Sequence, residues 1–194
     1  SEYINAESLL KAQGTDNDGR IIFTSYKDDA HGGDTNGDGG ITSPAPGDWR
    51  AIEIVGANNA SVFKFCDFYY GGGQEGDATD TLQLGSTSKV TIDNCRFAHN
   101  KGGGDTVSYF YGVLNASDAG PETKITNNIF YDNDVPMLIN GSFDIDDSNS
   151  FHNPDDPSET NVHNGIFFST IDIEGQRNWA ETEAPFVIGI NRLE

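Results

Sequence analysis

The residues best equipped for chemistry lie in segment 31–49, HGGDTNGDGGITSPAPGDW, whose acids and amides have the spacing of a calcium loop. In an EF-hand loop, positions 1, 3 and 5 carry short oxygen-bearing side chains, and a following glycine permits a sharp turn. Asp34, Asn36, Asp38 and Gly39 fit that opening. Gly40 then offers its carbonyl as the position-7 ligand, and Ile41 occupies the place where such loops put an apolar anchor to a core. The match ends there. Position 12, where a bidentate Glu is required, is Ala45 between two prolines, and no amphipathic helix flanks the segment. The pattern reads as a Ca²⁺ loop on a different scaffold, its missing ligands supplied by Asp28 and Asp29, with Asp48 next in line. The competing reading is a solvated turn made of Asp, Asn and Gly.

Other reactive side chains form no constellation. His31, His99, His152 and His163 fall on expected loops, with no H-E-x-x-H pattern and no nucleophile partner, and read as solvated. Cys66 and Cys95 do not make a disulfide framework. As small buried hydrophobes they need no partner, so free thiols are expected, although their alignment would also bring them within disulfide range.

Composition narrows the partners. The chain has 194 residues, 31 Asp and Glu against 11 Lys and Arg, and a net charge of −20. A nucleic-acid partner needs a basic face, so that class is excluded. So negative a chain repels itself, and bound divalent ions would stabilise it. Regularly spaced aromatic and β-branched residues oppose disorder. No apolar run is long enough to span a membrane, and no signal peptide is visible. The opening SEYINAESLL, without an initiator Met, reads as a mature or excised segment. An extracellular or cell-surface location is expected from calcium, because free cytosolic Ca²⁺ is too scarce for a weak site.

The elements that must position the loop are read from a repeat. Residues 61–68 (SVFKFCDF), 90–97 (VTIDNCRF) and 123–130 (TKITNNIF) align. Phe63, Ile92 and Ile125 fall in one column; Phe65, Asn94 and Asn127 in the next; then Cys66, Cys95 and Asn128; and finally Phe68, Phe97 and Phe130. A degenerate fourth copy ends at Phe151, after Phe143 and Ile145. Phe68 to Phe97 is 29 residues, Phe97 to Phe130 is 33 and Phe130 to Phe151 is 21. A fixed motif with loops absorbing the difference is what a β-solenoid coil allows. The register stacks Lys64 over Asp93 and Asp67 over Arg96 on coils about 4.8 Å apart. Asn127 and Asn128 are expected to satisfy amides along the stack.

Other elements follow in chain order: a short capping helix at 6–12, and strands at 21–25, 49–55 (Ile52 and Ile54 on one face), 81–84, 109–114, 137–139, 165–168 and 170–173. Gly-rich tips are expected at 71–76 and 102–105, an acidic loop at 153–159, and a last coil from Trp179 to Leu193. No composition shift or linker divides the chain, so residues 1–194 read as one domain.

Segment 21–54, the N-C-R-F and N-N-I-F coils and the closing W…PFVI…L together resemble right-handed parallel β-helix modules of large secreted or cell-surface prokaryotic proteins, within the pectate-lyase-like superfold. The resemblance implies an all-β solenoid of about six to seven coils with an inserted calcium-binding loop. It carries metal ligation onto Asp34, Asn36 and Asp38, and onto Asp28 and Asp29. It also implies one module of a longer polypeptide.

Three functions are open at this point. The first is a non-catalytic, Ca²⁺-stabilised module for adhesion, glycan binding or spacing, with Trp49, Tyr69, Tyr70, Tyr109 and Tyr111 forming either an aromatic surface for a glycan or cell-surface polymer or a cover over the ends and sides of the core. The second is a polysaccharide lyase or glycoside hydrolase. Lyases of the superfold pair Ca²⁺ with an Arg or Lys base, for which Arg50, Arg96, Lys64 and Lys89 are the candidates, Arg50 being nearest the loop. Hydrolysis needs two carboxylates across a groove, and 31 acids single out no pair. The third, ice binding, lacks a recurring T-x-T column.

Overall fold

The strands are short because each corner of the chain arrives after three to five residues. In the computed structural model, residues 2–74, 77–102, 111–170, 173 and 175–188 are described. Seven parallel strands make the longest sheet, in the order Ile4–Ala6, Ile52–Ile54, Leu82–Leu84, Leu114–Ala116, Met137–Asn140, Ile166–Thr170 and Phe186–Val187. A second sheet holds Lys11–Gln13, Val62–Lys64, Thr91–Asp93 and Lys124–Thr126, and a third holds Ile21–Phe23, Cys66–Tyr69, Arg96–Ala98 and Ile129–Tyr131. On its first four passes the chain visits the three sheets in the same order and returns one rung further along; its last three strands all join the long sheet. Stacked parallel sheets of this kind are consistent with a β-helix solenoid. No α-helix occurs among the described residues, and none is long and apolar enough to cross a membrane.

The repeat register holds. Ile92 lies opposite Phe63 on one side and Ile125 on the other, and Phe97 opposite Phe68 and Phe130. Their rings stack face to face at 4.6 Å between Phe68 and Phe97 and 4.9 Å between Phe97 and Phe130. Phe151 extends the column at 5.5 Å, as the degenerate copy requires, and Phe23 extends it at the other end at 5.0 Å. The five rings run along the axis of one continuous apolar core. Stacking at this spacing adds to the burial of each ring.

Asparagines finish the rungs. Asn100, Asn133 and Asn161 each donate Nδ2 to the carbonyl of Phe68, Phe97 and Phe130 respectively, at 2.8, 2.9 and 3.0 Å. Their Oδ1 atoms accept the backbone N–H groups of Gly71, Asn100 and Asn133. Asn128 and Asn149 repeat the device on Ile92 and Ile125. Asn127, expected in the same role, faces outward and donates to Asp93.

Several expectations are corrected. The helix at 6–12 is replaced by the strands Ile4–Ala6 and Lys11–Gln13 with a turn between them, because each segment gains a parallel partner on the next coil. Helix propensity loses to that pairing. The strand expected at 21–25 ends at Phe23, where the insertion begins. Lys64 lies over Asp93 and Asp67 over Arg96, as expected, and Lys64 pairs with Asp93 at 3.2 Å, but Asp67 forms its ion pair with Arg20 at 2.7 Å. Arg96 instead donates to the Tyr69 hydroxyl. Cys66 and Cys95 are free, buried thiols, as expected. Three of the four histidines are not merely solvated: His31, His99 and His152 pair with Asp28, Asp132 and Glu183.

The strand expected at 109–114 runs instead at Leu114–Ala116, and residues 103–110, with Tyr109 and most of the 102–105 tip, lie outside the described residues. So do 75–76, 171–172 and 189–194, which held parts of the 71–76 tip, the 170–173 strand and the last coil. The rest of the 71–76 tip opens a small antiparallel hairpin, Gly73–Gln74 with Asp77–Ala78.

Candidate metal site

Between Phe23 and Ile52 the chain leaves the third sheet, makes no strand for 28 residues, and re-enters on the long sheet one coil later. The foot of this insertion is tied to the solenoid. Lys27 Nζ and Ser25 Oγ both reach Asp48, at 2.7 and 2.6 Å. The backbone N–H groups of Gly47 and Asp48 donate to the Tyr70 carbonyl, and Trp49 Nε1 donates to the Tyr69 carbonyl at 2.7 Å. Burial would raise the Asp48 carboxyl, but the bonds from Lys27 and Ser25 outweigh it and hold the group below its usual range. Asp48 is therefore a structural anion with its charge already balanced.

Asp28 belongs to the same foot. It is buried, accepts from Thr24 at 2.5 Å, and pairs with His31 Nδ1 at 2.7 Å. Burial pushes its carboxyl up, and the bonds from Thr24 and His31 bring it below normal. His31 in turn stacks on Tyr69 at 5.5 Å.

The tip is built from carboxylates folded around their own backbone. Asp34 accepts the N–H groups of Asp38 and Gly39, at 3.0 and 2.9 Å. Asp38 accepts those of Gly40, Ile41 and Thr42 at 2.8 to 2.9 Å, and Asn36 donates Nδ2 to the same carboxylate at 3.0 Å. Gly37, Gly39 and Gly40 all have positive φ, which is how the chain curls so tightly. Such turns need no metal to form. The bond from Thr42 is the main reason the Asp38 carboxyl stays below its usual range. Ile41 anchors nothing: it is 85 % exposed, because the tip projects away from the core.

One acid joins the tip from the foot. Asp29, Asp34 and Asp38 each place a carboxylate oxygen within 4.8 Å of the other two. Among the described residues no lysine or arginine pairs with any of them, and Asp29 Oδ1 is buried without a hydrogen-bond partner. Loss of water and the charges of Asp34, Asp38 and Asp28 push the Asp29 carboxyl up. The Gly40 backbone approaches the same place, since a Cβ added there would lie 3.5 Å from Asp29 Oδ2. The structure thus brings together Asp29, Asp34 and Asp38, with Asn36 bonded to Asp38 and Gly40 beside Asp29. It directs Asp28 and Asp48 elsewhere.

The basic side chains considered for catalysis are mostly committed. Arg50 pairs with Glu53 at 2.8 Å and lies over the Tyr3 ring, Lys64 pairs with Asp93, and Lys89 pairs with Glu122. Burial would lower the Arg96 guanidinium, but its bond to the Tyr69 hydroxyl outweighs this and holds it above its usual value. The aromatics are divided. Tyr69 packs with Ala98 and Tyr131 on the outer face of the third sheet, with Tyr70 alongside. Trp49 instead lines a cleft of about 320 Å³ with Tyr3, Ile4, Phe23 and Ile52 at the first coil. Tyr111 is half-buried. Comparison with family models, with curated proteins and with solved structures found no match.

Proposed function

We propose that the chain is a non-catalytic extracellular module, a right-handed parallel β-helix of the pectate-lyase-like kind forming one domain, whose insertion is held in shape by Ca²⁺. The observation that carries this reading is the Asp29, Asp34 and Asp38 cluster, three carboxylates that no lysine or arginine among the described residues pairs with, and one buried oxygen left unpaired. The donor set fits calcium: it is all oxygen, and Asn36 and the Gly40 carbonyl add ligands of the same hard kind. A bound Ca²⁺ would neutralise the mutual repulsion that now raises the Asp29 carboxyl. Asp29 would tie the foot of the insertion to its tip, and the loop would stand from the solenoid as a fixed projection.

Absence of an uncommitted base among Arg50, Arg96, Lys64 and Lys89 supports a binding or spacing role over a lyase. The Trp49 and Tyr3 cleft beneath the insertion is the aromatic surface offered to a glycan or cell-surface polymer. Melting the chain in Ca²⁺ and in EDTA tests the metal reading. Chelation is expected to lower Tm by several degrees, and Asp38→Ala to mimic chelation and abolish the response. Equal melting in both buffers overturns it. A glycan array probed in Ca²⁺ tests the binding role, with Trp49→Ala as the control. No retention on any glycan would leave a spacer, and ultraviolet-absorbing product from pectate or alginate would replace the module with a lyase.

A further inference from the structure

A second cluster stands at the ends of the third-sheet strands. His99 follows Arg96–Ala98, Asp132 follows Ile129–Tyr131 on the next coil, and Glu159 comes from the loop that folds back beside them. Each offers one ligand atom within 4.8 Å of the other two. His99 Nδ1 and Asp132 Oδ2 are 2.6 Å apart. Among the described residues neither carboxylate has a lysine or arginine within 4.0 Å, so the pair of acids faces a single imidazole.

The three groups are held by their surroundings. The His99 ring stacks on Tyr70 at 5.6 Å and meets the edge of Tyr131 at 5.7 Å, which limits its rotation. Asn153 Nδ2 donates to Glu159 Oε2 at 2.5 Å, and the Asn153 N–H bonds the Glu159 carbonyl, so the loop that carries the acid is closed on itself. The Asp132 N–H donates to the Thr160 carbonyl and fastens that loop to the coil. An outer bond of the Asn153 kind is what orients a ligating carboxylate. The side chains remain open to water, His99 by 32 % and Asp132 by 53 %, which leaves an entry path and room for solvent ligands.

We propose that His99, Asp132 and Glu159 bind a divalent transition ion of the zinc class and staple three successive turns of the chain. One imidazole nitrogen and two carboxylates are a donor set that favours such an ion over Ca²⁺, which the all-oxygen cluster at Asp29 prefers. Ligands on one tetrahedral ion at about 2.1 Å sit roughly 3.4 Å apart. The short Nδ1 to Oδ2 contact would therefore open and the Glu159 carboxylate would close in, both by side-chain rotation. Any proton shared between His99 and Asp132 leaves to solvent as the metal enters. The site does not depend on the calcium reading, since the two clusters share no residue.

Titration of the full chain with Co²⁺, a visible stand-in for Zn²⁺, tests the assignment. One equivalent is expected to give a ligand-field band that Zn²⁺ displaces and excess Ca²⁺ does not. The band should vanish in His99→Ala and survive in Asp38→Ala. Asn153→Ala, which removes only the outer bond, is expected to weaken the affinity about 10–100-fold. Circular dichroism melts of each variant without metal show that it is folded, and Glu159→Gln on the loop serves as a second loss-of-ligand variant. Absence of a band from the folded wild type, or a band that persists in folded His99→Ala, overturns the proposal.

Discussion

The coil body and the insertion solve the same problem, satisfying backbone polar groups, in opposite ways. In the coils each inner strand bonds to the rung above and below, and Asn100, Asn133 and Asn161 close the corners by accepting a backbone N–H of the preceding coil and donating to its phenylalanine carbonyl. The insertion has no neighbouring rung to pair with, so Asp34 and Asp38 turn back on their own N–H groups. A neutral asparagine can be repeated on every coil without penalty. A carboxylate cannot, because each copy repels the next. The coil device can be repeated from rung to rung, whereas the insertion gathers like charges at Asp29, Asp34 and Asp38.

Breaking the stack should have the largest effect. Phe97 is fully buried between the rings of Phe68 and Phe130. Phe97→Ala should cost about 3–5 kcal/mol, read as a lower urea midpoint. If Ile41→Ser at the insertion tip costs as much, the contrast between the two regions fails; within about 0.5 kcal/mol is expected for so exposed a site.

Charge inside the coil body makes the second test. Asp80 is buried, and burial pushes its carboxyl up to about 7, against a smaller lowering by the Asn115 amide. Its folded-state value lies above the unfolded one. The contribution is therefore complete below about pH 4, falls as pH rises, and is gone above about pH 7, for up to about 4 kcal/mol in all. Asp80→Asn keeps an oxygen for Asn115 and carries no charge. Denaturant midpoints between about pH 4 and 8 should slope downward for the wild type and be flatter for the variant. Parallel profiles would place the charge elsewhere.

A smaller loss is expected from the corner ladder. Asn133→Ala leaves the Phe97 carbonyl and the Asn100 N–H without their partners and should cost about 1–3 kcal/mol. Asn127→Ala, at the preceding corner of the same coil but facing outward, should cost less. Equal losses would mean that the ladder has no special place in the fold.

Legibility followed the same division. The phenylalanine column was readable because burial imposes one residue type at one phase, and the phase survives loops of unequal length. Phe23 was missed because the whole insertion separates it from Phe68. Extending the aligned register two residues past each phenylalanine places His99 over Asp132, since Phe97 and Phe130 precede them by the same step. The column carries Tyr70, His99 and Asp132, three unlike residues, so no pattern marked it. Glu159 had no periodic signal at all. Asp67 does lie opposite Arg96, but its ion pair goes to Arg20, which stands outside the repeat. In the insertion, adjacent acids on an irregular backbone point in different directions. Nothing in the order Asp28-Asp29 tells which turns to His31 and which to Asp34.

That last pair allows the smallest and most discriminating test. Asp29 is crowded by Asp34 and Asp38 and carries a raised carboxyl. Without metal, Asp29→Asn removes one of three repelling charges and should raise Tm slightly in EDTA. In Ca²⁺ the same change removes a ligand and should lower Tm relative to the wild type, so the sign of the effect reverses with the buffer. Asp28→Asn behaves otherwise, because Asp28 is balanced by Thr24 and His31, and its loss should destabilise in both buffers alike. A reversal confined to Asp29 would distinguish an acid waiting for a cation from an acid already paired. If Asp29→Asn shifts Tm in the same direction in both buffers, the crowding at the tip is a feature of the turn, and the contrast with the self-satisfied coils reduces to geometry.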